Sequence, residues 1–163
     1  MAFRDGPSGI GGWLAFFLVT LGVFTPIRLA ATAYSFFADP QIAAAYGDRW
    51  PALVTAELML MGASVVAIAY LLWRFFMRRT WRTVQIAVAG IWAIAVGAMV
   101  LDTFIVALFG GIAIDILVQD SVAEYLKALF YAVLWTAYLL RSTRVANTYP
   151  REDAPEELTA VFE

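Results

Sequence analysis

The sequence predicts an all-α integral membrane protein, a four-helix bundle of two helical hairpins with both termini in the cytoplasm. Three observations predict it. The chain is 63% hydrophobic and only 15% charged over 163 residues, where a soluble domain is roughly half apolar. Its apolar residues fall in four runs of about 20 residues or more, the length that crosses a hydrocarbon core of about 30 Å as a helix. Lipid offers the backbone no hydrogen-bond partner, so spanning elements must satisfy their own amides, and the ten-residue alternation of a membrane barrel is absent.

The first run extends from about Trp13 to Phe37, the second from Ala52 to Phe76, the third from Val84 to Phe109 and the fourth from Val122 to Leu140. Arg74, Arg78, Arg79 and Arg82 cluster around the connection between the second and third runs. Arg4 precedes the first run, and Arg141, Arg144 and Arg151 follow the last. Cytoplasmic loops are enriched in Lys and Arg, which puts both termini and this connection inside. Only Arg28, Arg49 and Lys127 oppose the count. Trp13, Trp73, Trp81 and Tyr138 near the inner boundary, and Tyr34, Tyr46, Trp50 and Tyr125 near the outer one, form the expected aromatic belts. The Ala31-Thr32-Ala33 segment has the form of a signal-cleavage site, but the apolar stretch before it is long for a signal peptide and its loss would leave an odd number of spans. A retained first helix is the expectation.

The connections carry their own signals. Asp39-Pro40 is a helix start, a capping carboxylate followed by a residue with pre-set φ, and it opens a short surface helix ending at Gly47. Residues 110–121 mix isoleucines with Asp115 and Asp120; the pattern fits either an outward continuation of the third helix or a segment folded on the interface. From 149 to 163 the chain turns polar, with Glu152, Asp153, Glu156, Glu157 and Glu163, and an acidic disordered tail is expected after a transmembrane domain ending at 148.

Composition also bounds the chemistry. With neither Cys nor His, the chain lacks thiol nucleophiles, disulfides, thiolates and imidazole ligands, so no metal or cofactor is expected. A net charge of −2 without a basic domain gives no electrostatic case for nucleic acid. No Gly-x-Ser-x-Gly or Gly-x-Gly-Asp sequence marks a hydrolase or intramembrane protease, and the expectation is a protein that is not an enzyme.

Each run carries an ionisable residue in its outer half: Arg28, Glu57, Asp102 and Lys127. At about 1.5 Å per residue these lie roughly 9 to 16 Å below the outer ends of their helices, within reach of one another through long side chains. Charges in a membrane interior are costly and call for pairing or water access. One reading makes them an intramembrane ion or ligand site. The other makes them ion pairs, Arg28 with Glu57 and Asp102 with Lys127, that fix helix register. An uninterrupted helical period puts Thr25, Arg28, Thr32 and Ser35 on one inward stripe of the first helix. Glu57, Met61 and Ser64 align on the second, and Ala95, Ala98 and Asp102 on the third, beside a small-residue ridge of Ala89, Ala93 and Gly97. Glu124, Lys127, Tyr131, Trp135, Tyr138 and Ser142 form a polar-aromatic seam on the fourth. Pro26 removes a backbone donor inside the first helix and predicts a kink beside Arg28. Gly11-Gly12-Trp13 lacks the strand and lysine of a phosphate loop and fits a flexible helix entry. The arginines at 74 to 82 are explained by topology, though such clusters also bind acidic lipid.

Gly11-Gly12-Trp13-Leu14, Thr25-Pro26-Ile27-Arg28, Glu57 and the closing string Tyr138-Leu139-Leu140-Arg141-Ser142-Thr143-Arg144-Val145-Ala146-Asn147-Thr148-Tyr149 together resemble domain-of-unknown-function family 2569, the YdgK-like bacterial inner-membrane proteins. The resemblance covers the chain except its acidic tail. It implies four helices, a Gly-Gly-Trp-Leu start and a Ser-x-Arg-Val-x-x-Thr-aromatic ending; Ala146 departs from the Lys common after the Val. It implies location in the bacterial cytoplasmic membrane and carries no activity, cofactor or catalytic residue.

On physical grounds Arg141, Ser142 and Arg144 are candidates for a membrane-surface anchor at the carboxyl end of helix four. The functional expectation is a non-catalytic accessory or scaffold component of a membrane system. Its partners would be membrane lipids and a membrane-protein partner or a second copy of itself. The alternative is a small transporter or sensor using Arg28, Glu57, Asp102 and Lys127.

Overall fold

A computed structural model describes residues 6–151, and all regular structure among them is helical. The first long rod consists of α1 (Trp13–Val19), a π-helical turn (Thr20–Phe24) and α2 (Thr25–Phe37). A short α3 (Pro40–Tyr46) and a 3-10 turn (Gly47–Arg49) lead into α4 (Trp50–Met77). The third rod is α5 (Trp81–Trp92), a second π-helical turn (Ala93–Gly97) and α6 (Ala98–Gly110). Then come α7 (Ile114–Asp120), α8 (Val122–Arg141) and α9 (Thr143–Thr148). Three stretches, Trp13–Phe37, Pro40–Met77 and Trp81–Gly110, are long and apolar enough to cross a membrane. The fourth long helix, α8, falls outside that set: Glu124, Lys127, Arg141 and its aromatic residues dilute its hydropathy.

Local signals account for the connections. The Asp39 side chain accepts from the Gln41 amide at 2.8 Å and caps α3, with Pro40 in its first turn. Gly111 ends α6 in a left-handed conformation (φ +66), a backbone state in which glycine carries no steric penalty. That turn detaches α7 from the third rod, so the segment after Gly110 is a separate short helix. Ring contacts then join the first rod to the second, with Phe36 5.5 Å and Phe37 6.3 Å from Trp50, and Tyr46 6.1 Å from it.

Most of the buried side chains form one cluster toward the end of the molecule that holds both described chain ends. Leu14, Phe17, Leu18 and Leu21 of α1 meet Ile68, Leu71 and Phe75 of α4, Val84, Ala87 and Ile91 of α5, and Ala132, Trp135 and Leu139 of α8. Phe17 lies 4.9 Å from Trp135 and 5.8 Å from Phe75, so α1 seals against α8 and α4 together. Two glycines allow the closest approach: a Cβ on Gly90 would fall 2.7 Å from Leu71 Cδ1, and one on Gly22 2.9 Å from Leu72 Cδ1. The small-residue contact therefore centres on Gly90 rather than on the expected ridge, since Ala89 and Ala93 are exposed.

The two π-helical turns correct the expected faces. A π turn contains one residue more than an α turn, which rotates everything after it by about 100°. An unbroken period continues the Leu14-Phe17-Leu21 stripe to Thr25, Arg28, Thr32 and Ser35. Instead Leu29, Ala33 and Phe36 take the covered positions, while Arg28, Thr32 and Ser35 are exposed. In the third rod the buried face passes to Thr103, and Asp102 lies on the exposed rim. Pro26 supplies a cause for the first turn: it has no amide to donate, and the chain widens just before it, with Thr25 N–H bonding back to the Thr20 carbonyl. On α4, which has no such turn, Glu57, Met61 and Ser64 share the buried-to-intermediate face as expected.

Candidate functional site

Arg28, Glu57, Asp102 and Lys127 separate into two groups. Glu57 on α4 and Asp102 on α6 stand within electrostatic range of each other across the interface of these two helices. Glu57 Oε1 is buried and has no partner among the described residues. A carboxylate can only accept hydrogen bonds, so a bond between two carboxyls needs one proton between them. Chemically, this pair can hold a proton or, with both groups ionised, a cation. Tyr46 of α3 stands within electrostatic range of both.

Arg28 and Lys127 join a different neighbourhood. Lys127 pairs with Glu124 one turn earlier on α8, the sole ion pair among the described residues, and both side chains are more than half exposed. Arg28 of α2 faces the same side, within electrostatic range of Glu124 and of the Tyr131 hydroxyl. That hydroxyl is buried without a hydrogen-bond partner among the described residues. Its neighbours Thr20 and Thr25 donate to the Phe17 carbonyl at 2.8 Å and the Thr20 carbonyl at 2.9 Å. The pairs Arg28 with Glu57 and Asp102 with Lys127 are not formed, because the π turns rotate Arg28 toward α8 and Asp102 onto its rim beside α4. Two further polar ties went unpredicted: Thr103 Oγ1 to Tyr125 Oη at 2.7 Å, and Trp92 Nε1 donating to Thr136 Oγ1 at 3.1 Å. A recess of about 240 Å³ is lined by Tyr46, Arg49, Phe109 and Ile112. There Arg49 Nη1 donates to the Phe109 carbonyl at 3.2 Å, near the end of α6.

The most connected polar arrangement lies at the opposite end. The loop before α1 meets α9: Gly9 N–H donates to Thr148 Oγ1 at 2.9 Å, and that hydroxyl donates to the Arg144 carbonyl at 2.7 Å. Arg144 lies over Gly11 and Gly12 and donates from Nη1 to the Ser8 carbonyl at 3.4 Å. A Cβ on Gly11 would stand 3.0 Å from that nitrogen and displace the guanidinium, while Gly12, with φ +55 and ψ −134, is the position where the backbone itself calls for glycine. Ser142 caps α9, accepting from the Val145 amide at 3.4 Å. The fully buried Tyr149 donates from its hydroxyl to the Phe75 carbonyl at 2.8 Å and meets the Phe75 ring edge-on at 5.5 Å. Burial pushes its phenol up to about 12, with Arg79 acting in the opposite direction. Finally, the Trp81 amide at the start of α5 donates to the Pro150 carbonyl at 3.1 Å, and the Arg151 guanidinium lies 4.4 Å from the Trp81 ring centroid.

This clasp changes two expectations. Arg144 and Ser142 of the candidate membrane anchor are engaged with the protein itself; Arg141 alone of the three remains exposed. Tyr149, one residue past the expected end of the transmembrane domain, belongs to the core; the expected tail from 152 onward lies outside the described residues, as does Arg4. Topology implied that the two chain ends and the arginine connection share one side, but a contact between Gly9 and Thr148, 139 positions apart, has no local signal.

Among the described residues, no group of three or more His, Cys, Asp or Glu side chains could hold a metal ion. No curated protein and no solved structure matches this chain. The family described as "Protein of unknown function (DUF2569)" matches residues 7–150, a span that takes in the Gly-Gly entry, the clasp and every long helix, and the chain belongs to that family.

Proposed function

We propose that this protein crosses the bacterial cytoplasmic membrane four times as a bundle, with α8 as the fourth span and both termini inside, and serves as a non-catalytic accessory or scaffold component of a membrane system. The arginines of the α4–α5 connection and of the chain ends support that orientation. One observation carries the functional reading: the residues through which the chain resembles its family, Gly11-Gly12 and the Ser142–Tyr149 string, build the clasp that fixes the inner ends of the helices. Residues so used preserve a shape, and a protein defined by its shape acts through its surface. That surface is apolar along most of α2, α4, α6 and α8, with Ile27, Met59, Val66, Leu108, Leu126 and Phe130 all more than half exposed.

The test is purification of the tagged protein from native membranes in mild detergent, with native mass and the identity of whatever accompanies it. A stoichiometric membrane-protein partner supports the scaffold reading, and a monomer stripped of partners at native abundance refutes it. The Glu57–Asp102 pair favours a second reading, a small transporter or sensor that binds a proton or cation there, with Arg28 and Lys127 balancing charge nearby. Proton or cation uptake by vesicles containing the purified protein, abolished by Glu57→Gln and Asp102→Asn, would replace the first reading with the second.

A further inference from the structure

We propose that the acidic segment at residues 152–157 docks on an arginine patch formed by Arg78, Arg79 and Arg82 of the same chain. Residues 150 and 151, the last described, lie against the second, arginine-flanked connection. The Pro150 carbonyl is bonded to the Trp81 amide at 3.1 Å and Arg151 lies on the Trp81 ring, so the described chain ends at the start of α5. Arg82 is the next residue along from Trp81, and Arg78 and Arg79 precede it by three and two. At about 3.6 Å per residue the patch therefore lies within roughly 11 Å of chain from that anchor, and the segment 152–157 can reach roughly 20 Å.

Charge supplies the complement. Arg78, Arg79 and Arg82 are exposed, and their side chains form no ion pair or hydrogen bond among the described residues. The first turn of α5 contains no acidic residue. Glu152, Asp153, Glu156 and Glu157 bring four negative charges to these three positive ones. Because the segment is tethered at Arg151, its effective concentration at the patch is of millimolar order, enough for weak individual contacts to act together. The arginines that orient the helices during insertion are thereby covered by the chain's own carboxylates once insertion is complete. The other candidate occupant is the acidic headgroup of a neighbouring phospholipid.

The chain lacks cysteine, so Gln85→Cys on the exposed side of α5 and Thr159→Cys in the tail provide a unique pair of spin labels. Their distance distribution is measured for the full chain in lipid nanodiscs containing phosphatidylglycerol. At about 0.01 M salt, where charges act over about 30 Å, a narrow population is expected. At about 1 M salt, where the range falls to about 3 Å, that population is lost. It is also lost in the variant Glu152→Gln, Asp153→Asn, Glu156→Gln, Glu157→Gln, which leaves the arginines and hence topology untouched. A broad distribution at both salt concentrations overturns the proposal. So does a narrow population that survives the fourfold neutralisation, or one present in phosphatidylcholine discs and absent with phosphatidylglycerol, which would make lipid the occupant.

Discussion

Replacing Tyr149 by Phe isolates one bond of the clasp. The ring keeps its edge-on contact with Phe75 at 5.5 Å; what disappears is the hydroxyl that donates to the Phe75 carbonyl at 2.8 Å. That carbonyl sits in the last turn of α4, which ends at Met77, where helix carbonyls have no amide of their own helix to accept from. Losing such a bond costs about 1 kcal/mol net. The effect also depends on pH, with a defined sign. Burial holds the Tyr149 phenol neutral until about pH 12, against an ordinary value of 10.0. A folded-state value above the unfolded one means that the hydroxyl's contribution is complete below pH 10 and declines as pH rises toward 12. Each unit in that window removes about 1.4 kcal/mol, so the wild-type advantage of about 1 kcal/mol is cancelled near pH 11. The assay is reversible unfolding of wild type and Tyr149→Phe in mixed micelles at pH 8, 10 and 11. A wild-type advantage that is absent at pH 8, or that stays constant from pH 8 to pH 11, refutes the reasoning.

Gly12→Ala forces φ +55 on a residue with a Cβ and is expected to cost about 1–3 kcal/mol. Gly62→Ala, with nothing near its Cβ inside α4, should stabilise by about 0.5–1 kcal/mol; thermal unfolding in detergent compares the two. Deleting Ala95 from the second π turn converts it to an α turn with Thr103 still facing inward, and a folded protein is expected in the membrane fraction. Deleting Val100, beyond the turn, brings Phe104 to the position of Thr103 and removes the bond to Tyr125, so much weaker accumulation is expected. A double-mutant cycle of Thr103→Val with Tyr125→Phe should give a coupling of about 1 kcal/mol for their 2.7 Å contact.

Hydropathy and caps made much of the fold legible. Runs expected at 13–37, 52–76, 84–109 and 122–140 correspond to helical stretches at Trp13–Phe37, Trp50–Met77, Trp81–Gly110 and Val122–Arg141, because length and apolarity are local properties. Asp39-Pro40 and Gly47 marked α3 for the same reason. Side-chain facing was legible only where the helix is unbroken: α4 presents Glu57, Met61 and Ser64 as its period predicts, whereas Arg28 and Asp102 were each placed one residue out of phase by a π turn. Pro26 announced a disturbance in the first rod without revealing its form, and Ala93–Gly97 contains no comparable marker. The clasp was hidden for another reason. Its parts read separately as a helix entry and an anchor, and only tertiary contact makes them one device.

The 139 positions between Gly9 and Thr148 have a consequence for biosynthesis. A chain is synthesised from its beginning, yet the first helix cannot acquire its final seal until Thr148 has left the ribosome. Until then Leu14, Phe17 and Leu21 lack Trp135 and Leu139, and Gly9 has no hydroxyl to bond. Closure therefore waits on the synthesis of Thr148 and Tyr149. Products truncated before Trp135 leave Leu14, Phe17 and Leu21 without their α8 partners, and those truncated before Thr148 leave the first helix unlatched.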